Sequence, residues 1–163
     1  MPIIIDGYNL LRSIQRDEQF ESLTEVGLCR IVSDYMKNVR NHGHIVFDGT
    51  GPRDKSDFDQ LGGLGNLEVY FSGEHLEADD VIIEKIDDNS APKKLIVVTS
   101  DREIRSAAAS RKAVSVRSDI FWQDVQNRLE TYQKPAFEPK AKRGGITEAE
   151  ADLWLDYFGI DPD

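Results

Sequence analysis

Four acidic residues occupy positions in the sequence where parallel strands would end or a helix would begin. Asp6 and Asp101 each follow a short apolar run. Glu77 and Asp80 open an apolar helical stretch and share one helix face, at spacing i, i+3. Carboxylate oxygens without histidine or cysteine nearby are the ligands that Mg²⁺ and Mn²⁺ prefer. The four residues therefore predict a site that binds one or two of these ions.

Carboxylates that converge in this way repel one another unless they take up protons or share a cation. A shared divalent ion can generate a hydroxide and stabilise the charge on a phosphoryl group during in-line displacement. The competing interpretation is structural, because acidic residues are common at helix N-termini, where they cap free N–H groups. Asp6 is the hardest to explain structurally, since a carboxylate beside a buried strand is costly without a cation or strong hydrogen bonds.

Other acidic residues are weaker candidates. Asp48 ends the second apolar run, where a peripheral metal ligand and a turn-forming residue are equally good explanations. Asp79 is expected to face away from the site because it is adjacent to Asp80 on the helix. Asp119 is better explained as a helix-start residue. The three histidines lack metal-ligand spacing, so we assign them no chemistry.

Residues next to Asp101 are candidates for contact with a substrate. Ser100 could hold a water or a phosphate, although turn chemistry explains this residue as well. Arg102 and Arg105 could meet the phosphates of a nucleic acid, and a solvated helix face explains them equally well.

Short apolar strands that alternate with helices would position these side chains. The predicted strands are Ile3–Ile5, His44–Phe47, Leu67–Phe71, Leu95–Thr99 and Ala113–Val116. Helices are predicted after the capping residue Thr24 and over 78–86, 102–111 and 118–130. The alternation predicts an α/β fold with a mostly parallel sheet and helices on both faces, but the strand order is not readable. Because ligands bind at the carboxyl ends of such strands, this fold class would bring the four acids together.

Charge and composition limit the function and the compartment. The net charge of −10 disfavours nucleic acid at first, but residues 102–143 carry ten basic and five acidic side chains. Those charges form either a local surface that faces phosphate or an ordinary solvated surface of loops and helices. The single cysteine, Cys29, lies in an apolar helical stripe and is expected in the core of a protein from a reducing compartment. With no membrane span and no export signal in the sequence, the expected location is the cytoplasm.

The C-terminal part of the sequence differs from the rest in composition. We expect one domain over 1–133, a Pro/Lys/Gly-containing linker over 134–146, and a helical appendage over 147–163 that begins with a capping box. The appendage is apolar almost all round, so it should dock on the domain or on a partner, and a homodimer is one candidate arrangement. Residues 49–65 form a glycine-rich loop, which at this length is usually functional or mobile.

Three motifs together resemble a known family. Asp-Gly-Tyr-Asn at 6–9, the helix start over 77–84 and Thr-Ser-Asp at 99–101 are similar to the NYN domain. More narrowly, they resemble its bacterial YacP-like branch, within the PIN-like nuclease superfamily. The resemblance covers about residues 2–130.

The resemblance implies a Rossmann-like, three-layer PIN-like domain with an acidic metal site. It implies metal-dependent cleavage of RNA, in RNA processing or decay, with endonucleolytic cutting the expected mode. RNA is then the expected partner, the ribosome is a candidate partner, and no membrane is involved. Carried over by motif, Asn9 orients a ligand or phosphate, and the catalytic and metal-binding residues are Asp6, Glu77, Asp80 and Asp101.

Two alternatives remain open at this point. One is a non-catalytic module that binds RNA or the ribosome, which the retained acids disfavour because a pure RNA-binding surface gains nothing from four like charges. The loop after Asp48 mixes basic and acidic residues and leaves its own role in RNA binding in doubt. The other is an aspartyl-phosphate enzyme, which would need a partner acid two residues after its nucleophile, where Tyr8 or Thr50 stands.

Overall fold

The computed structural model describes residues 2–58 and 66–133, with side chains to residue 130, and contains a five-stranded parallel sheet. The strands are β1 (Ile3–Asp6), β2 (Gly43–Phe47), β3 (Leu67–Phe71), β4 (Ile96–Val98) and β5 (Val114–Val116). Every pair of neighbouring strands is parallel. The predicted α/β class is confirmed, and all five strands lie where the apolar runs placed them.

The strand order is β3-β2-β1-β4-β5. The chain moves outward from β1 through β2 to β3 and then crosses to the other side of β1 to form β4. The order therefore reverses between β1 and β4, and ligands of open parallel sheets bind at such switch points. Asp6 ends β1 and Thr99 follows β4, so both residues lie at this point.

Five α-helices of nine residues or more connect or follow the strands in the part of the chain that the structure describes. They are α1 (Gly7–Gln15), α2 (Glu25–Asn38), α3 (Ala78–Asp88), α4 (Arg102–Ser110) and α5 (Ser118–Gln133). The sequence pattern predicts the last four. Helix α1 is an addition to that prediction: it starts directly after β1 and buries Leu10, Leu11 and Ile14.

The helices cover both faces of the sheet and form a three-layer structure. One apolar core joins Ile5 to α1, α2 and α5, whereas a second core joins Ile4 to α3 and α4. Neighbouring residues of β1 thus point into different cores, which explains why this strand is apolar at every position before Asp6. Cys29 is fully buried in the first core, as expected.

The proposed linker and appendage, 134–163, lie outside the described residues, as does the second half of the loop over 49–65. Among the helices that the structure describes, none combines the length and the apolar character that a bilayer crossing requires.

Gly7 makes the closest backbone approach at the start of α1. A Cβ atom added there would lie 2.5 Å from Cδ1 of Phe47 and 2.9 Å from the carbonyl oxygen of Val46. The ring of Phe47 is fully buried and cannot move away. Glycine at this position lets the chain turn from β1 into α1 while keeping contact with β2.

We expect Gly7→Ala to lower the free energy of unfolding by about 1–3 kcal/mol, the usual cost of overpacking a core. Urea denaturation followed by circular dichroism measures the change. Gly27→Ala is the matched control, because Gly27 is also buried in the first turn of a helix, and its tightest neighbour, 3.0 Å away, is the end of a leucine side chain. Helix propensity favours alanine there, so a loss as large as that at Gly7 would contradict the interpretation.

Candidate active site

A cavity of about 590 Å³ opens at the carboxyl ends of β1, β2 and β4. Three of the four predicted metal-site residues line it: Asp6, Glu77 and Asp101. Further carboxylates in its lining are those of Asp48, Asp79 and Asp119. The fold therefore brings together acids that are up to about a hundred residues apart in the sequence.

Asp6 is the most buried of these carboxyl groups, with 7% of the residue exposed. Its Oδ2 accepts a hydrogen bond of 3.1 Å from the hydroxyl of Thr99. Burial raises the pKa of Asp6 to about 6, the Thr99 hydrogen bond opposes this, and the charges of Asp79 and Asp101 add to the rise. At neutral pH the site thus holds a carboxylate whose ionisation the folded protein disfavours.

Thr99 connects two of the acids through one hydroxyl group. Its Oγ1 accepts a hydrogen bond of 3.0 Å from the backbone N–H of Asp101. Because that bond uses a lone pair, the hydroxyl proton is left to donate to Asp6. Thr99 is fully buried, so both bonds are shielded from water.

Asp101 acts as the N-cap of α4. Its Oδ1 accepts hydrogen bonds from the backbone N–H groups of Glu103 (2.9 Å) and Ile104 (3.2 Å). Asp101 thus caps a helix, as the structural explanation of this residue requires, and capping leaves it free for a role in the site. Capping uses one oxygen and fixes the carboxylate at the cavity wall, where its other oxygen stays available for a ligand.

The structure reverses the expected orientations of Asp79 and Asp80. Asp79 lines the cavity, whereas Asp80 is exposed and accepts a hydrogen bond of 3.1 Å from the backbone N–H of Glu77. The reason is the start of α3: with Glu77 as N-cap, residue 80 is at the third helical position, where an acidic side chain folds back to cap the helix. The prediction that Asp80 joins the other acids in the cavity is corrected to Asp79.

Asp79, Asp101 and Glu103 form a group that could hold a metal ion. One carboxylate oxygen of each lies within 4.8 Å of the corresponding oxygens of the other two. Burial raises the pKa of Asp79, and the charges of Asp101 and Glu103 are the next largest causes. These oxygen donors fit Mg²⁺ or Mn²⁺, and a bound cation would relieve their mutual repulsion.

Sequence reasoning did not select Glu103 for the site. Its position two residues after Asp101, in the first turn of α4, was the available signal, because it places a second acid beside the capping residue. A first-turn glutamate is usually explained by the helix dipole alone, so this signal is weak until the distances are known.

Asp48 and Glu77 lie at the rim of the cavity, where both residues are exposed. Oδ1 of Asp48 accepts hydrogen bonds from the backbone N–H of Ala78 (3.1 Å) and from the hydroxyl of Ser72 (3.2 Å). Asp48 therefore ties the end of β2 to the start of α3 and helps to hold Asp79 in place.

Asn9 joins three segments around the site. Its Oδ1 accepts hydrogen bonds from the backbone N–H of Ser100 (2.9 Å) and from the hydroxyl of Ser118 (2.6 Å). The hydroxyl of Ser100 in turn accepts one from the backbone N–H of Ser118 (3.2 Å). Both Asn9 and Ser100 line the cavity, as their prediction as ligand contacts requires, but these bonds also make them positioning residues.

The arginines at the cavity differ from those that the sequence suggested. Arg102 and Arg105 are absent from the lining that the described residues form, and Nε of Arg105 instead lies 3.5 Å from the hydroxyl of Ser115, on β5. The lining contains Arg12, from α1, Arg16, the C-cap of α1, and Arg117, which precedes α5. The described cavity lining therefore holds Arg12, Arg16 and Arg117 in place of Arg102 and Arg105, whose contact with a substrate stays a prediction.

Comparison with known proteins adds the family to this geometry. The model of the family described as "YacP-like NYN domain" matches residues 3–152. The match extends past the last described residue and past residue 130, where the resemblance seen in the sequence ends. None of the curated proteins matches the sequence.

Two solved structures of Rae1 (YacP) from Bacillus subtilis are similar to this chain. One is 19% identical, with a TM-score of 0.63, and covers 98% of this chain and 92% of its own. The other, the W164L mutant, is 18% identical, with a TM-score of 0.58, and covers 95% of this chain and 98% of its own. At this level of identity the likeness shows the fold, and it confirms the three-layer arrangement.

The raised pKa of Asp6 predicts a stability cost in the metal-free protein. An unfolded aspartate ionises at its usual pKa near 3.8, whereas in the folded protein Asp6 keeps its proton up to about pH 6. Ionisation therefore destabilises the fold: the penalty is absent below about pH 4 and complete above about pH 6. We expect Asp6→Asn to raise the unfolding free energy at pH 7 by up to about 3 kcal/mol and to change it little at pH 4.

Thermal unfolding in EDTA at the two pH values measures this difference. Asp119→Asn is the control, because it removes an exposed carboxylate from the same cavity. Added Mg²⁺ or Mn²⁺ should stabilise the wild type more than Asp6→Asn. Equal stabilities of wild type and Asp6→Asn at pH 7 would show that the buried carboxylate carries no penalty.

Proposed function

This chain belongs to the YacP-like NYN domain family, and we propose that it is a metal-dependent ribonuclease that hydrolyses RNA phosphodiester bonds. Members of this NYN/PIN-like group are generally nucleases, which makes nuclease the broad expectation for the chain. The finer statement, endonucleolytic cleavage of RNA with Mg²⁺ or Mn²⁺, is our proposal.

One observation carries the proposal: Asp6, Asp79 and Asp101 converge at the switch point of a parallel sheet. Burial and neighbouring negative charges raise the pKa of both Asp6 and Asp79. A binding surface for RNA would be weakened by such a cluster, because it repels phosphate. A catalytic site that holds divalent cations gains from it, since the cations remove the repulsion and attract the substrate.

We assign the ion or ions to Asp6, Asp79 and Asp101. Further ligands are Glu103, which lies beside Asp79 and Asp101, and Glu77 at the rim of the cavity. When bound, a divalent ion would lower the pKa of a water molecule that it coordinates and would balance negative charge on the phosphoryl oxygens. No side chain becomes covalently attached in this scheme. The protein's own contribution is to hold the carboxylates in fixed positions.

Hydrogen bonds explain how the protein holds these positions. Thr99 donates to Asp6 while it accepts from the backbone of Asp101, so the two carboxylates share one buried support. Asn9 fixes the turn before Asp101 through the N–H of Ser100. Such outer partners typically change metal affinity or activity by about 10–100-fold when they are removed.

Charge and composition support a proposal for the compartment, the substrate and the partner of this enzyme. We propose a cytoplasmic enzyme of RNA processing or decay, with RNA as substrate. With a net charge of −10, the chain attracts free RNA poorly, which favours a partner that delivers it, and the ribosome is a candidate. We further propose a nuclease domain over 1–133, a linker over 134–146 and a helical appendage over 147–163 that docks on the domain, on a second copy or on that partner.

We expect Asp79→Asn to abolish metal-dependent cleavage of a labelled single-stranded RNA, with a loss greater than the roughly 10–100-fold typical of outer-shell changes. Asp80→Asn is the matched control: an asparagine oxygen can still accept the hydrogen bond from the N–H of Glu77, so the start of α3 is kept. Its cleavage rate should stay near that of the wild type. Asp6→Asn should behave like Asp79→Asn. Gel analysis of the products also separates internal from terminal cutting.

Two results would contradict the proposal. If the wild type binds RNA but does not cut it with Mg²⁺ or Mn²⁺, the chain is a non-catalytic RNA-binding module on the same fold. If Asp80→Asn loses activity while Asp79→Asn keeps it, the assignment of the two aspartates is wrong even though the nuclease function stands.

A further inference from the structure

The cavity has an acidic side and a basic side. The carboxylates come from the ends of β1, β2 and β4 and from the start of α3, whereas Arg12 lies in α1 and Arg16 is the C-cap residue that follows it. Arg117, just before α5, adds a third guanidinium group. Within the described residues these are the cations of the cavity lining, and each of them is exposed.

Helix α1 arranges its contribution as a row. Tyr8, Arg12 and Arg16 are spaced i, i+4, i+8, so they lie on one helix face, about 6 Å apart along the axis per step. All three residues line the cavity. The row begins two residues after Asp6 and therefore leads directly away from the acidic side.

The guanidinium groups of this row are not used for the protein's own ion pairs. In the part of the chain that the structure describes, neither Arg12 nor Arg16 lies within ion-pair distance of a carboxylate. Arg12 packs over the ring of Tyr8, 5.7 Å from its centroid, which orients the cation without neutralising it. Each group can therefore bind an anion from solution at little cost.

Arg117 has a partner, but a weak one. Its Nε lies 3.3 Å from Oδ1 of Asp119, and the two side chains are 58% and 51% exposed. Exposed ion pairs of this kind contribute little to stability, because water and salt screen them. A phosphate can replace Asp119 as the partner of Arg117.

We propose that Arg12 and Arg16, with Arg117 beside them, bind the phosphates of a single-stranded segment of the substrate next to the bond that is cut. This inference rests on the proposed nuclease function and adds how the substrate is held. Guanidinium groups suit phosphate because they donate two parallel hydrogen bonds. Spaced about one helical turn apart, they can contact successive or near-successive phosphates of one strand.

The size of the cavity and the burial of Asp6 select a single strand. A volume of about 590 Å³ is that of a site for a small ligand, so it fits a short stretch of one strand better than a duplex. Asp6 is 7% exposed, so a phosphate must enter the cavity to come near it. Contacts to phosphate carry no sequence information, and we expect the row to bind strands of any sequence.

The test compares two double variants with the same loss of charge. Arg12→Gln/Arg16→Gln removes the row, whereas Arg102→Gln/Arg105→Gln removes two arginines outside the cavity. Both are made in the wild type for kinetics and in Asp79→Asn for binding. Fluorescence anisotropy of a labelled single-stranded RNA, over a series of salt concentrations, gives the affinity and its salt dependence. Thermal unfolding checks that each variant is folded.

We expect the row variant to bind RNA at least roughly tenfold more weakly and to lower the slope of log K against log salt by about 1.4, or 0.7 for each phosphate contact. In cleavage assays its KM should rise while kcat changes little. The control variant should change the affinity far less. A single-stranded DNA of the same sequence should lose affinity by the same factor as the RNA, since the contacts are to phosphate.

Several outcomes overturn the inference. If the wild type cuts RNA and the Arg12→Gln/Arg16→Gln variant has normal affinity and salt slope, these arginines do not bind the substrate, although the nuclease function stands. If Arg102→Gln/Arg105→Gln weakens RNA binding more than the row variant does, the substrate lies along α4 instead. If the row variant loses affinity for RNA but not for DNA, the arginines do not bind phosphate. If the wild type neither binds nor cuts RNA, the proposed function fails, and the inference fails with it.

Arg117→Gln, on another segment, should lower the affinity for RNA by a smaller factor than the row variant does.

Discussion

Asp6 lies where the order of the strands reverses, with its carboxyl group buried and other negative charges nearby. Burial leaves this charge little contact with water, which raises the pKa of Asp6 to about 6, and a bound cation would offset the cost of its ionisation. The rest of the site follows from this constraint. The hydroxyl of Thr99 offsets part of the cost, whereas the charges of Asp79 and Asp101 add to it, and a bound divalent ion would relieve that repulsion.

A few hydrogen bonds keep the carboxylates from moving apart. Asn9, at the start of the chain, is bonded to the turn after β4 and to the start of α5, so three distant segments share one amide oxygen. An amide serves here where a carboxylate would add one more negative charge. Asp48 and Asp101 each use one carboxylate oxygen to accept a hydrogen bond from a backbone N–H at the start of a helix. The hydrogen bonds at the helix starts use one oxygen of each residue, so they are compatible with a further role of the same carboxylates in the proposed metal site.

The fold class could be predicted because short, largely apolar strands alternate with helices, and the run before Asp6 is apolar at every position, as in a strand covered on both faces. Strand order could not, since nothing in these runs shows on which side of β1 each strand lies. Asp6 and Asp101 were predictable from strand ends. The choice between Asp79 and Asp80 depends on the exact first residue of α3, and sequence patterns give helix boundaries only to within a few residues. Helix α1 was missed because it opens with Gly7, a poor helix former, and Arg12 and Arg16 were missed with it.

Helix α1 runs without interruption from the residue after Asp6 to Gln15. An insertion or deletion of one residue between Asn9 and Arg12 would turn everything beyond it by about 100° around the axis. Leu11 and Ile14 would then leave the core, and the guanidinium groups would point away from the cavity. The segment can exchange residues but cannot change its length.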